Sequence, residues 1–230
     1  MTKSPILSLR NVESRVHGAV KLSGVSVDVY PGELVSILGA NGAGKTSLLG
    51  VVAGLYRPTS GEILLDGQPI TGMAPHRIAR MGIGIAPQNH PIFGSLTVSE
   101  TLELRPPNYR VDILSLFPNL AAKRSYRAAS LSGGERQMLS MALALQADPK
   151  ICILDEPSSG LAPKIVAQVF QAVKAMVDAG ITVLMVEQNA RAALKIADRA
   201  YVMEHGKIIA SGKASDLADD DKIRRAYLGV

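Results

Sequence analysis

The sequence predicts an α/β domain built on a parallel sheet, and three observations carry that prediction. Ile151-Cys152-Ile153-Leu154 and Thr182-Val183-Leu184-Met185-Val186 are continuous apolar, β-favouring runs, as strands covered on both faces require. Helical patterns separate such runs, over residues 163–179 and again over 190–197. Leu34-Val35-Ser36-Ile37-Leu38 is a third buried strand, and it feeds a glycine-rich loop followed by a helix.

Each element can be justified in chain order. Leu7-Ser8-Leu9 and Val25-Ser26-Val27-Asp28-Val29 alternate apolar and polar positions, a period of two that predicts half-buried antiparallel strands. Pro31-Gly32 makes a turn before the strand at Leu34. After Lys45, the positions Leu48, Leu49 and Val52 fall on one helix face, and Gly54 with Pro58 marks the end. Gly61-Glu62-Ile63-Leu64-Leu65-Asp66-Gly67 reads as a short strand and turn. Ile83-Gly84-Ile85-Ala86 reads as another buried strand, closing at Pro87-Gln88. Residues 89–131 have weak periodicity and carry Pro91, Pro106, Pro107 and Pro118. No internal repeat, linker or low-complexity tail interrupts the chain.

Composition narrows the class. With 230 residues, 47% of them hydrophobic, the chain can bury one sizeable core. No apolar run approaches the roughly 20 residues of a spanning helix, and no signal peptide is expected at the N-terminus. The one cysteine, Cys152, lies in an apolar run, is expected in the core and suits a reducing cytosol. A net charge of +5 raises nucleic acid or an anionic membrane surface as partners. The basic residues are dispersed and aromatics make up only 4%, so there is no basic-aromatic stripe to stack bases, and nucleic acid is not expected as a partner. The run Asp219-Asp220-Asp221 reads as a solvated helix start rather than a metal site.

Residues 39–46 read Gly-Ala-Asn-Gly-Ala-Gly-Lys-Thr, the complete G-x-x-x-x-G-K-T spacing of a phosphate-binding loop. Gly39, Gly42 and Gly44 let the backbone curl with its N–H groups toward phosphate, and the next helix presents its N-terminus to the same anion. Lys45 can reach the β- and γ-phosphates of ATP, and the Thr46 hydroxyl can hold Mg2+. Asp155 ends a buried strand, where a carboxylate is costly without a cation or hydrogen bonds, so Mg2+ is its natural partner. Glu156 beside it is placed to polarise an attacking water.

A further segment, Leu131-Ser132-Gly133-Gly134-Glu135, precedes the strand that ends in Asp155-Glu156. Together with the loop at residues 39–46, it resembles the ATP-binding cassette (ABC) ATPases, and the resemblance runs from about Leu7 to the C-terminus. It implies a P-loop NTPase fold over residues 1–230: a RecA-like parallel core sheet, a small antiparallel β-subdomain and a short α-helical subdomain at about 89–140. It places Gly39, Ala40, Asn41, Gly42, Ala43, Gly44, Lys45, Thr46 and Ser47 on ATP. Gln88 becomes a Q-loop residue that touches Mg2+ and water and senses a membrane partner. Ser132, Gly133, Gly134 and Glu135 become a signature that reaches ATP on an opposing subunit, so that two cassettes must meet head to tail. A helix cap made by Ser132 is compatible with that role. His17 stands where the family commonly places an aromatic on adenine, and an ordinary loop histidine is the alternative reading.

Two departures mark the chain. Gln188 occupies the place of the family's usual histidine near the γ-phosphate, and it can donate a hydrogen bond there but cannot shuttle a proton. Ala162 occupies the place of the usual aspartate in the loop after Glu156. Gly160-Leu161-Ala162-Pro163, Val186-Glu187-Gln188-Asn189 and Ala226-Tyr227-Leu228-Gly229 resemble one subgroup, the LivF-type ATPase of branched-chain amino-acid importers. Its members often carry Glu where Gln88 stands. The resemblance implies two permease subunits, a second ATPase subunit, an extracytoplasmic solute-binding protein, and a peripheral location on the cytoplasmic face of the inner membrane. The permease would dock around residues 88–96, with Phe93 either a contact or a core residue. Importers of urea or short amides, a soluble ABC ATPase driving a non-transport assembly, and a regulatory subunit with little turnover are the alternatives.

Overall fold

A computed structural model describes residues 4–16, 19–89, 92–105 and 111–225. The chain opens with two long strands, β1 (Leu7–Val16) and β2 (Ala19–Val29), then β3 (Leu34–Leu38) and helix α1 (Lys45–Val52). A short region follows: β4 (Ser60–Leu65), β5 (Gln68–Pro69), α2 (Pro75–Arg80) and β6 (Ile83–Ala86). Three short helices, α3 (Val98–Glu103), α4 (Ile113–Leu116) and α5 (Pro118–Ala121), precede the longer α6 (Gly133–Gln146). Strand β7 (Ile151–Asp155), α7 (Pro163–Asp178), β8 (Val183–Glu187) and α8 (Ala190–Leu194) follow. The described chain closes with β9 (Arg199–Glu204), β10 (Lys207–Lys213), α9 (Ala214–Asp219) and α10 (Asp221–Ile223).

The strands form two sheets. The larger has the order β10-β9-β3-β8-β7-β6; its five inner and edge strands from β9 to β6 run parallel, and β10 joins as the antiparallel partner of β9. The smaller has the order β2-β1-β4-β5 and is antiparallel throughout. The parallel core, the antiparallel sheet and the helical stretch between β6 and β7 are those of the expected P-loop fold.

Burial explains why the central strands are apolar at every position. Successive side chains of a strand point to opposite faces. In β3, Val35 and Ile37 enter the core shared with the small sheet and α1, whereas Leu34 and Leu38 enter the core under α6, α7 and α8. Ile151 and Ile153 of β7 take the first core, and Cys152 and Leu154 the second. The Cys152 thiol is fully buried, and burial pushes its pKa up to about 12, so it is an inert core group. Strand β6 lies at the sheet edge, and Ile85 is accordingly exposed, against the expectation of a fully buried strand.

Helix ends follow their local chemistry. Thr97 caps α3 and Ser132 caps α6, each in a reciprocal capping box with Glu100 and Glu135. Asp220 caps α10 by accepting from the N–H groups of Lys222 and Ile223, which is the helix-start role read for the aspartate run. Helix α8 is shorter than its sequence pattern. The chain must turn after it so that Asp198 can accept from the Leu34 N–H at 2.8 Å and start β9. Among the described residues, no helix is long and apolar enough to cross a membrane.

Candidate functional site

Four neighbouring strands, β3, β8, β7 and β6, deliver their C-terminal ends to one edge of the sheet. That edge is where open α/β sheets bind ligands. β3 ends at Leu38 and opens into the glycine-rich loop, β7 ends at Asp155, β8 at Glu187, and β6 runs into Pro87-Gln88.

The loop is held from behind. The Gly206 N–H, in the turn between β9 and β10, donates to the Ala43 carbonyl at 2.8 Å, and the Gly39 N–H donates to the Glu187 carbonyl. Gly44 is the residue before α1 and has φ 112°; a Cβ there would come within 2.8 Å of the Lys21 carbonyl oxygen. Only glycine serves both demands. No side chain caps α1, so its first N–H groups remain for a ligand.

Lys45 is 4% exposed. Its Nζ donates to the carbonyls of Gly39 (2.8 Å) and Ala40 (3.1 Å) and pairs with Glu156 Oε1 at 3.0 Å. Gln88 Nε2 donates to Glu156 Oε2 at 3.3 Å and to Ser159 Oγ at 3.2 Å. Glu156 adopts φ 45°, a left-handed conformation that costs a non-glycine residue free energy and aims its carboxylate toward the loop. A cleft of about 200 Å³ results, lined by Asn41, Gly42, Gly44, Lys45, Thr46, Ser47, Gln88, Glu156 and Lys21. Predicted residues from three separate segments therefore meet in one place. Lys21 was not foreseen: its contact with the loop is long-range, and a lone lysine on an alternating strand gives no signal.

Asp155 is 8% exposed, and its Oδ1 is buried with no hydrogen-bond partner. Burial raises its pKa, the adjacent Glu156 raises it further, and Lys45 opposes both. An orphaned, buried carboxylate oxygen whose charged neighbours are Glu156 and Lys45 fits a hard cation such as Mg2+, which takes oxygen ligands.

The other predicted residues lie elsewhere. Gln188 lines not the cleft of Lys45 but a second cleft of about 670 Å³, with Ser159, Leu161, Phe170, Arg191 and Glu156, the last of which lines both. Ser132, Gly133, Gly134 and Glu135 begin α6 and line neither cleft. Glu135 turns onto its own helix and pairs with Lys123 at 2.7 Å; burial works against its charge, but Lys123 and the Ser132 N–H outweigh it and hold its pKa low. Gly134 packs against α7, where a Cβ would drive into Ile165 Cγ2. His17 and residues 226–229 lie outside the described residues. Phe93 is 66% exposed, which places it on the surface rather than in the core.

Glu187 is a buried carboxylate that the sequence motifs do not single out. It is 1% exposed and accepts four hydrogen bonds, two from Ser158 and one each from the N–H groups of Gln188 and Asn189. Burial pushes its pKa up, and the Ser158 and Asn189 donors pull it partly back. The signal was available, because a carboxylate ending a buried apolar strand is what singled out Asp155.

Comparison with known proteins agrees with this geometry. The family profile described as ABC transporter matches residues 22–159. The chain is 42% identical, over 94% of its length and 97% of the relative's, to the high-affinity branched-chain amino acid transport ATP-binding protein BraG of Pseudomonas aeruginosa. It is 37% identical, over 98% of both chains, to the lipopolysaccharide export system ATP-binding protein LptB of Acidithiobacillus ferridurans. Among solved structures, the ADP conformation of MJ1267, an ATP-binding cassette of an ABC transporter, superposes with a TM-score of 0.83 at 27% identity, covering 98% of this chain and 99% of the other. Sheet order, loop chemistry and end-to-end similarity converge, and the chain belongs to the ABC transporter family as an ATP-hydrolysing cassette.

Proposed function

We propose that this chain is the ATPase subunit of a bacterial importer for branched-chain or similar amino acids. The observation that carries the reading is the 42% identity to BraG across nearly the full length of both chains. The Val186-Glu187-Gln188-Asn189 and Gly160-Leu161-Ala162-Pro163 segments, which resemble the LivF-type subgroup, support it. In this reading the chain pairs with a second cassette and drives two permease subunits, served by an extracytoplasmic solute-binding protein. It sits peripherally on the cytoplasmic face of the inner membrane. The exposed Phe93, beside the Gln88 loop, is a candidate permease contact.

The mechanism follows from the cleft. ATP phosphates enter among Lys45, Thr46, Ser47 and the open N–H groups of α1. Lys45 exchanges the Gly39 and Ala40 carbonyls and the Glu156 carboxylate for the β- and γ-phosphates. Glu156, released from Lys45, then orients a water for attack on the γ-phosphorus and accepts its proton, as the bond to the ADP oxygen breaks. Gln88, already bonded to Glu156, follows it and reports the occupied state to the permease side. Thr46, Asp155 and Gln88 would hold Mg2+, which when bound offsets the phosphate charge. Gln188 would donate a hydrogen bond to the γ-phosphate, without proton transfer.

The 37% identity to LptB keeps lipopolysaccharide export as the second reading. Uptake of labelled leucine by cells whose only copy carries Glu156→Gln decides between them. Loss of uptake, restored by the wild-type chain, supports the importer. Normal uptake with the variant present, together with a failure of envelope lipopolysaccharide transport, would support export. Normal uptake without that failure would point to urea, amides or a soluble role.

A further inference from the structure

Glu187 is a buried carboxylate to which the hydrolytic scheme assigns no part. Its Oε1 accepts from the Ser158 N–H at 2.8 Å. Its Oε2 accepts from the Ser158 hydroxyl at 2.9 Å and from the N–H groups of Gln188 at 3.1 Å and Asn189 at 3.2 Å. These four donors lie on two loops, one leaving β7 and one leaving β8, and a single anion joins them. The loop after β7 carries Ser159, whose hydroxyl accepts from Gln88 Nε2, and the same nitrogen donates to Glu156. Glu156 itself stands two residues before Ser158. The chain of contacts from Glu187 to the Glu156 carboxylate is therefore continuous.

We infer that Glu187 is a positioning residue for ATP hydrolysis: its carboxylate pins the loop after β7 to the end of β8 and so fixes where Glu156 and Gln88 stand. The inference rests on the reading of Glu156 as the group that orients water. The chemistry of the site asks for a carboxylate in particular. An ionised carboxylate is acceptor-only, with about four lone-pair directions, and here it meets four donors. Three of these are backbone N–H groups that cannot reverse. A glutamine of the same shape must turn its NH2 toward an N–H of one loop or the other, leaving that loop unheld. Charge-assisted bonds to backbone are roughly twice as strong as neutral ones, so even the bonds a glutamine keeps are weaker. Ordinary fold stabilisation would use the same bonds, but it would affect nucleotide binding and turnover together.

The test compares wild type with Glu187→Gln, Ser158→Ala, the double variant and Glu156→Gln, each as the full chain in its assembled transporter. ATP affinity, kcat, KM and thermal stability are measured for all. Glu187→Gln is expected to lower kcat by about tenfold or more, since a hydrogen bond to a charged group contributes about 1.5–3 kcal/mol. KM and ATP affinity should stay within about twofold, because the glycine-rich loop is held by backbone bonds, from Gly206 to Ala43 and from Gly39 to the Glu187 carbonyl, that the substitution leaves in place. Ser158→Ala removes one of the two bonds to that loop and should give a smaller fall. The double variant should fall no further than Glu187→Gln, as expected of groups acting as one unit. A Glu187→Gln protein with wild-type kcat overturns the inference. So does a loss of ATP affinity equal to the loss of turnover, which would make Glu187 a fold residue only. If Glu187→Gln does not assemble, Ser158→Ala carries the test, and a wild-type kcat there overturns it. If Glu156→Gln turns over normally, the reading of Glu156 has failed first, an outcome separate from a wild-type rate in Glu187→Gln alone.

Discussion

Asp155 and Glu156 are adjacent carboxylates that the fold treats in opposite ways. Glu156 has Lys45 and Gln88 as partners, whereas Asp155 Oδ1 is buried without one. Burial chiefly, and Glu156 next, hold the Asp155 pKa above its ordinary value, so the folded chain binds that proton more tightly than the unfolded chain does. The resulting penalty is absent below the unfolded pKa and complete above the folded one, and stability falls as pH rises between them. Asp155→Asn should therefore raise the melting temperature of the nucleotide-free chain at neutral pH, by relieving a buried charge. The same variant should lose hydrolysis by a factor on the order of a hundred or more, since even outer partners of a metal site cost ~10- to 100-fold. Thermal melts with and without Mg2+ and ATP check both parts. A variant that melts lower than wild type without ligand would show that Oδ1 is not an unrelieved charge. The sequence revealed Asp155 through the cost of a carboxylate at the end of a buried strand. The same cost applies to Glu187, which ends the buried strand β8.

At the scale of elements, the start of α6 shows how one glycine serves packing. Gly134 faces Ile165 of α7, and a Cβ on it would overlap Ile165 Cγ2. A β-branched side chain on a helix has little rotamer freedom to move aside. Gly134→Ala should accordingly lose about 1–2 kcal/mol, the overpacking cost exceeding the ~1 kcal/mol by which alanine favours a helix. Adding Ile165→Ala should remove the overlap, and denaturant unfolding of the single and double variants measures it. A single variant as stable as wild type would mean that Ile165 yields. Such interhelix contacts were not legible in the sequence, which showed the apolar faces but not their partners. The elements that were legible have strong local signals: the alternation in β1 and β2, the continuous apolar runs of β7 and β8, and the loop spacing at residues 39–46. The hairpin of β9 and β10 was missed. Its role is to set Gly206 against Ala43, a contact between residues remote in the chain.

Across the whole molecule, the residues that open α6 stand apart from the Lys45 cleft. The phosphate cleft is lined by residues from the glycine-rich loop, Gln88, Glu156 and Lys21, while the exposed Ser132 and its neighbours begin α6 and line neither that cleft nor the larger one beside it. If Ser132 and Gly133 contact ATP, they contact one held by another cassette, and nucleotide then acts as the bond between two chains. Ser132→Arg tests this at the level of assembly. The arginine replaces an N-cap, which costs about 1 kcal/mol of helix stability, and also puts bulk and charge on the exposed turn. Ser132→Ala is the control, since it loses the cap without blocking the face. Both variants should bind ATP as single chains with wild-type affinity, because the Lys45 cleft is untouched. In a background of Glu156→Gln, where ATP persists, sedimentation should show ATP-driven association for Ser132→Ala and none for Ser132→Arg. Association of Ser132→Arg at the level of the control would remove the signature from the interface and leave the larger cleft, with Gln188 and Ser159 on its rim, as the face by which two cassettes meet.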